Sequence, residues 1–152
     1  MKLTNTLLIG VLLIAMFALT GCFSFNDGTK ELVLNTSDGV HTYTVEIADS
    51  TEERKQGLQE REKLEENTGM FFVYEEPNPK MAFWMPNMKI SLDMIFFDKD
   101  MKVVDYFQEV PPCESESCAH YTPKVVSQYV LEVNAGTVDE IGLDIGDVGE
   151  LK

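Results

Sequence analysis

Leu92-Asp93-Met94-Ile95-Phe96-Phe97, followed at once by Asp98-Lys99-Asp100, is the stretch that decides the fold class. Its length suits a strand better than a helix, and turn residues close it. A nearly continuous apolar run of this kind reads as a central strand. Similar short runs lie on either side: Met70 to Tyr74, Met81 to Met85, Met101 to Phe107 and Val125 to Val133, separated by turn chemistry such as Pro77-Asn78-Pro79 and Pro86-Asn87. Further upstream, Glu31 to Asn35 and Val40 to Ile47 flank Ser37-Asp38-Gly39 and read as a hairpin. In the second of these, Tyr43, Val45 and Ile47 share a buried face, and Thr42, Thr44 and Glu46 the wet one.

Many short strands at this spacing predict a mainly β fold, a compact antiparallel barrel-like or sandwich domain with one or two short helices. Ser50 with Glu53 three residues on forms a capping box and predicts a helix start, which Gly57 ends. A helical turn is also expected over Arg61 to Glu66 and another near Val138 to Ile141, before a last strand at Val148 to Leu151.

The beginning of the chain has a different character. Lys2, the apolar run Leu7 to Ala18 and the ending Leu19-Thr20-Gly21-Cys22 read as an export signal that is removed. A Leu-x-Gly-Cys ending resembles a lipobox, in which the cysteine thiol receives a diacylglycerol and becomes the new N-terminus. Two acyl chains hold a protein firmly at a bilayer. The expected organisation is a signal over 1–21, a flexible spacer over 22–30 and a single β-rich domain over 31–152, placed outside the cytoplasm and anchored through Cys22. An uncleaved membrane-spanning anchor and plain secretion are the alternatives.

Removing Lys2 with the leader takes the formal net charge from −14 to −15. Nucleic acid is excluded as a partner, because phosphate binding draws on clustered Lys and Arg. Cys113 and Cys118 remain as an even pair, which in an oxidising compartment favours a disulfide closing a short polar loop. His120 beside them raises a metal alternative, but the spacing matches no structural zinc pattern, so no metal and no cofactor are called for.

Glu53-Arg54, Gly57-Leu58 and Arg61, then Gly69-Met70-Phe71-Phe72-Val73, Phe83-Trp84-Met85, Leu92-Asp93-Met94-Ile95-Phe96 and Leu131-Glu132-Val133-Asn134-Ala135-Gly136 occur in an order and spacing that resemble the family called domain of unknown function 192, or uncharacterised protein family 0127. The likeness runs from about Glu31 to Leu151. It implies a mostly β, barrel-like or sandwich domain and no established activity. Members usually have lysine, threonine and proline where this chain has Pro86, Met88 and Ser91.

Asp93 stands out as a carboxylate inside an apolar strand, where charge is costly unless it is paired. Either it accepts hydrogen bonds from backbone or from Arg54 or Arg61, or it lines a groove with Trp84, Asn87 and Glu132, with Arg61 a further candidate. Core packing is the default expectation for Trp84, with a stacking platform for a ligand as the alternative. Met81, Met85 and Met88 read as core filling, with soft-metal binding as the sharper reading. No nucleophile elbow, phosphate loop or dinucleotide fingerprint is present. The leading functional expectation is a membrane-tethered binding or accessory module. Its rivals are a hydrolase of an envelope glycan using Asp93 and Glu132 as acid and base, and a structural partner of another envelope protein.

Overall fold

The computed structural model of the chain describes residues 28–115 and 117–152; the proposed signal and Cys22 lie outside them. In chain order the elements are β1 (Thr29–Thr36), β2 (Gly39–Ala48), α1 (Thr51–Gln56), β3 (Thr68–Asn78), β4 (Leu92–Phe97), β5 (Val103–Val110), β6 (Ser127–Asn134), α2 (Thr137–Glu140) and β7 (Val148–Leu151). The fold is therefore mostly β with two short helices. Among the described residues no helix is long and apolar enough to cross a membrane.

The seven strands make one sheet in the order β5-β4-β6-β3-β2-β1-β7. It curls into a half-barrel. At one end the two outer strands meet: the Val103 amide donates to the Asp147 carbonyl at 2.8 Å, and the Gly149 amide to the Met101 carbonyl at 2.8 Å. Every ladder is antiparallel except β2 with β3, where Thr44 opposes Thr68 and Ala48 opposes Phe72 in parallel. That pair corrects the all-antiparallel expectation. A parallel pair needs a crossover, and α1 with the loop after it supplies one.

Helix α1 begins as its residues dictate. The Ser50 hydroxyl accepts from the Glu53 amide at 3.1 Å, and the Glu53 carboxylate accepts from the Ser50 amide at 2.9 Å. Gly57, at φ 49°, takes the conformation that ends it. The helical turn expected over Arg61 to Glu66 is absent, and the chain there runs as bends and turns. Nor is Met81 to Met85 a sheet strand. It is extended but held only by single bridging pairs, Phe83 with Tyr121 and Pro86 with Cys113.

Both faces of the sheet are covered. One core gathers side chains from β1 through β6, including Leu34, Val45, Phe71, Ile95, Val103 and Leu131, under α2. The other lies on the opposite face of β3, β4 and β6, where Phe72, Met94, Phe96 and Val130 are roofed by Leu58 and by Met81, Phe83, Met85 and Met88. Strand β4 contributes to both, which is why all six of its residues are buried.

Candidate functional site

Glu132 sits in the middle of β6, opposite Met70 of β3 on one side and Met94 of β4 on the other. Directly paired residues of neighbouring strands share a face, so the Glu132 carboxyl projects among apolar side chains under the roof of the second core. It is buried, and no described residue hydrogen-bonds to its carboxyl group. Loss of water raises its pKa to about 8. An ordinary apolar side chain would serve packing at this position better, since an unpaired buried polar group is costly.

What lies over Glu132 is a cavity of about 290 Å³. Leu58, Phe72, Phe83, Met85 and Met88 supply its apolar walls; Trp84, Asn87 and the more exposed Arg54, Lys55, Gln56 and Gln59 form its mouth. Alternation along the extended roof explains the arrangement: Met81, Phe83 and Met85 turn inward while Ala82 and Trp84 turn outward. Trp84 is 54% exposed, which overturns the core-packing expectation. Its ring lies beside that of His120, tilted by 60° with centroids 5.9 Å apart.

The roof is anchored from behind. Phe83 and Tyr121 exchange backbone hydrogen bonds of 3.0 and 2.8 Å, and the Cys113 amide donates to the Met85 carbonyl at 2.9 Å. The Cys113–Cys118 disulfide, with Cα atoms 5.7 Å apart, closes the short loop that begins at the Met85 contact and ends three residues before Tyr121. In front, Asn87 adopts a positive φ of 55° and joins the two sides of the mouth. Its side-chain amide donates to Gln59 Oε1 at 3.1 Å, and its carbonyl accepts from the Glu60 amide at 3.0 Å.

Arg54 lines the same cavity as Glu132, yet it is engaged elsewhere. Its guanidinium donates to the carbonyls of Asp49 and Val73, the latter at 2.8 Å, and lies 4.8 Å from the centre of the Tyr74 ring. Burial raises the Tyr74 phenol above its ordinary value, Arg54 opposes that rise and Glu132 adds to it.

Of the five residues singled out from the sequence, Trp84, Asn87 and Glu132 line this cavity. Asp93 and Arg61 do not. Asp93 points to the opposite face, where its carboxylate accepts from the backbone amides of Glu109 at 2.7 Å, Gly136 at 3.2 Å and Val138 at 2.8 Å. The expected groove of Trp84, Asn87 and Asp93 therefore gives way to one floored by Glu132, and the donors to Asp93 are backbone groups, not Arg54 or Arg61. Arg61 forms a forked ion pair with Glu46 of β2, 2.7 Å at its second nitrogen. Sequence reasoning missed Phe72 and Tyr74 as lining residues, although their period-two placement with Met70 was available. Among the described residues no group of three or more His, Cys, Asp or Glu side chains is arranged to hold a metal ion.

Comparison with known proteins agrees with this architecture. The family model for domain of unknown function 192, described as Uncharacterized ACR, matches residues 33–151. A UPF0127 protein of Thermococcus sibiricus is 30% identical over 117 residues, covering 76% of this chain and 71% of that one. A crystal structure from Sinorhizobium meliloti, described as a candidate transcription regulator, superposes with a TM-score of 0.73 at 34% identity, over 81% of this chain and 93% of that chain. Another, of a protein of unknown function from Novosphingobium aromaticivorans, gives a TM-score of 0.73 at 29% identity over 80% and 84% of the two chains. The chain belongs to the domain of unknown function 192 family, also called UPF0127.

Proposed function

We propose that this protein is a binding module whose ligand enters the cavity over Glu132. One observation carries the reading: a buried carboxyl group without a hydrogen-bond partner forms the floor of a cavity walled by aromatic and methionine side chains. A few convergent polar groups in an apolar concavity are the usual composition of a small-molecule site. A hydrolase using Asp93 with Glu132 gains no support, because the two carboxyls project from opposite faces of the sheet. The module is held outside the cytoplasm by a lipid on Cys22, a placement that the Cys113–Cys118 disulfide suits.

Trp84 is the single tryptophan, so its fluorescence reads the mouth of the cavity directly. A fragment library of small amphipathic molecules should contain compounds that change this emission saturably and raise the melting temperature, with both effects weakened in Met88→Ala. A library in which no compound does so would overturn the reading. For the anchor, a mass spectrum of membrane-extracted protein should begin at a lipid-modified Cys22, and an intact Met1 would overturn it.

A further inference from the structure

The chemistry of the cavity also bears on the class of its ligand, an inference that rests on the binding reading above. We infer that the cavity takes a small organic amine, whose ammonium group meets the Glu132 carboxylate and whose apolar stem lies against Phe72, Phe83, Met85 and Trp84. The group missing from Glu132 is a donor. A charged N–H donor gains most from a carboxylate, since charge-assisted hydrogen bonds are the stronger ones. The ion pairs of the described residues belong to Arg61, Lys63, Lys89 and Lys99, and none of them reaches Glu132. Arg54 is committed to two carbonyls and to the face of Tyr74. An ammonium is also at home against aromatic faces and polarisable thioethers, the material of these walls. An anion gains no counter-charge from Glu132 in either protonation state and meets a like charge once the carboxyl ionises, in a chain whose net charge is already −14.

Other ionisable groups around Glu132 are few. Tyr74 of β3 faces it, and Arg54 and Lys55 of α1 stand at the mouth. Its direct neighbours on β3 and β4 are Met70 and Met94, and residues 82–88 of the roof bring no ionisable side chain. Amine capture therefore converts the protonated carboxyl to carboxylate and releases its proton to solvent, while the ammonium keeps its own. Binding must then tighten as the pH rises towards the pKa of about 8.

The experiment is a Trp84 fluorescence titration of the full chain with hexylamine, hexanol and hexanoate, on the wild type and on Glu132→Gln. The glutamine keeps shape while removing the charge, and its melting temperature checks that it folds. Hexylamine should bind the wild type at least tenfold more tightly than hexanol, tighten roughly tenfold or more between pH 6.5 and 8.5 as a linked proton leaves, and lose most of its affinity in Glu132→Gln. Equal binding of hexylamine and hexanol, or of hexylamine to both proteins, would overturn the amine while leaving the cavity as a binding site. If neither these probes nor the fragment library alters Trp84 emission, the binding reading falls with it. Nα-acetyl-lysine methylamide forms a further arm: saturable binding of this compound without binding of hexylamine would move the site to lysyl side chains of polypeptides and overturn a free amine.

Discussion

Asp93 and Glu132 lie on adjacent strands one residue out of step. Asp93 opposes Val133 and Glu132 opposes Met94, so the two buried carboxyls leave the sheet on opposite sides. Their surroundings then diverge completely. Asp93 satisfies three backbone amides at the start of α2 and the end of β5, whereas no described residue donates to Glu132. One is an internal tie and the other is the floor of an opening.

For Asp93 the consequence is a large loss on truncation. Asp93→Ala leaves the amides of Glu109, Gly136 and Val138 without their acceptor in a buried place. It should destabilise the domain by about 3 kcal/mol or more. Urea unfolding followed by circular dichroism gives the value, and a loss under about 1 kcal/mol would contradict the role assigned to it.

Glu132 should give stability a pH dependence of opposite sense to the usual carboxylate. Its folded pKa of about 8 lies above the ordinary glutamate value of 4.5. Between those two values the folded chain holds a proton that the unfolded chain has released, so stability is greatest at the acid end and declines as the pH climbs. The full change is roughly 3 to 5 kcal/mol. Glu132→Gln should remove this component of the slope between pH 5 and pH 8.5 in urea melts, and a mutant with the same slope as the wild type would refute the assignment.

Gly69 is required by close approach, not by backbone conformation. A Cβ there would lie 2.5 Å from the carbonyl oxygen of Glu132. Gly69→Ala should force β3 and β6 apart, cost roughly 2 to 3 kcal/mol, and disturb the cavity floor at the same time. Loss of amide exchange protection at Leu131 and Val133 would report the separation.

The disulfide closes a loop of sequence separation 5. Reduction, or Cys113→Ser with Cys118→Ser, should lower stability by about 2 kcal/mol on loop-entropy grounds. Because Cys113 is hydrogen-bonded to Met85, the loosened loop should also weaken ligand binding at the roof. Thiol reagents should label Cys113 and Cys118 only after a reductant has been added.

Most of the sheet was legible because its signals are local. The unbroken run of β4, the alternation of Tyr43, Val45 and Ile47, and the Ser50–Glu53 box each declare their structure within a few residues. The parallel join of β2 to β3 was not, because nothing local separates a strand that turns back from one that crosses over. Met81 to Met85 carried the alternation of a strand and lies extended, but its partners are isolated residues of a distant loop, so no ladder forms. For the site, the signal was a carboxylate within an apolar run, read at Asp93 and present also at Glu132. Only the relative placement of β4 and β6 shows which of the two is tied and which is open, and that is a long-range fact. Trp84 departs from the core-packing default because Phe83 and Met85 already fill the space on the inward side, which leaves its ring exposed as the alternative reading had it.

Strand β1 is zipped to β7, with Leu32 opposite Leu151 and Asn35 opposite Val148. The earliest described strand thus waits for the latest before its outer margin is paired, and the curl cannot shut onto β5 until those same residues arrive. A growing chain that has reached Asp147 still shows unmatched backbone along β1, so folding to completion is an event that follows synthesis of the C-terminal strand.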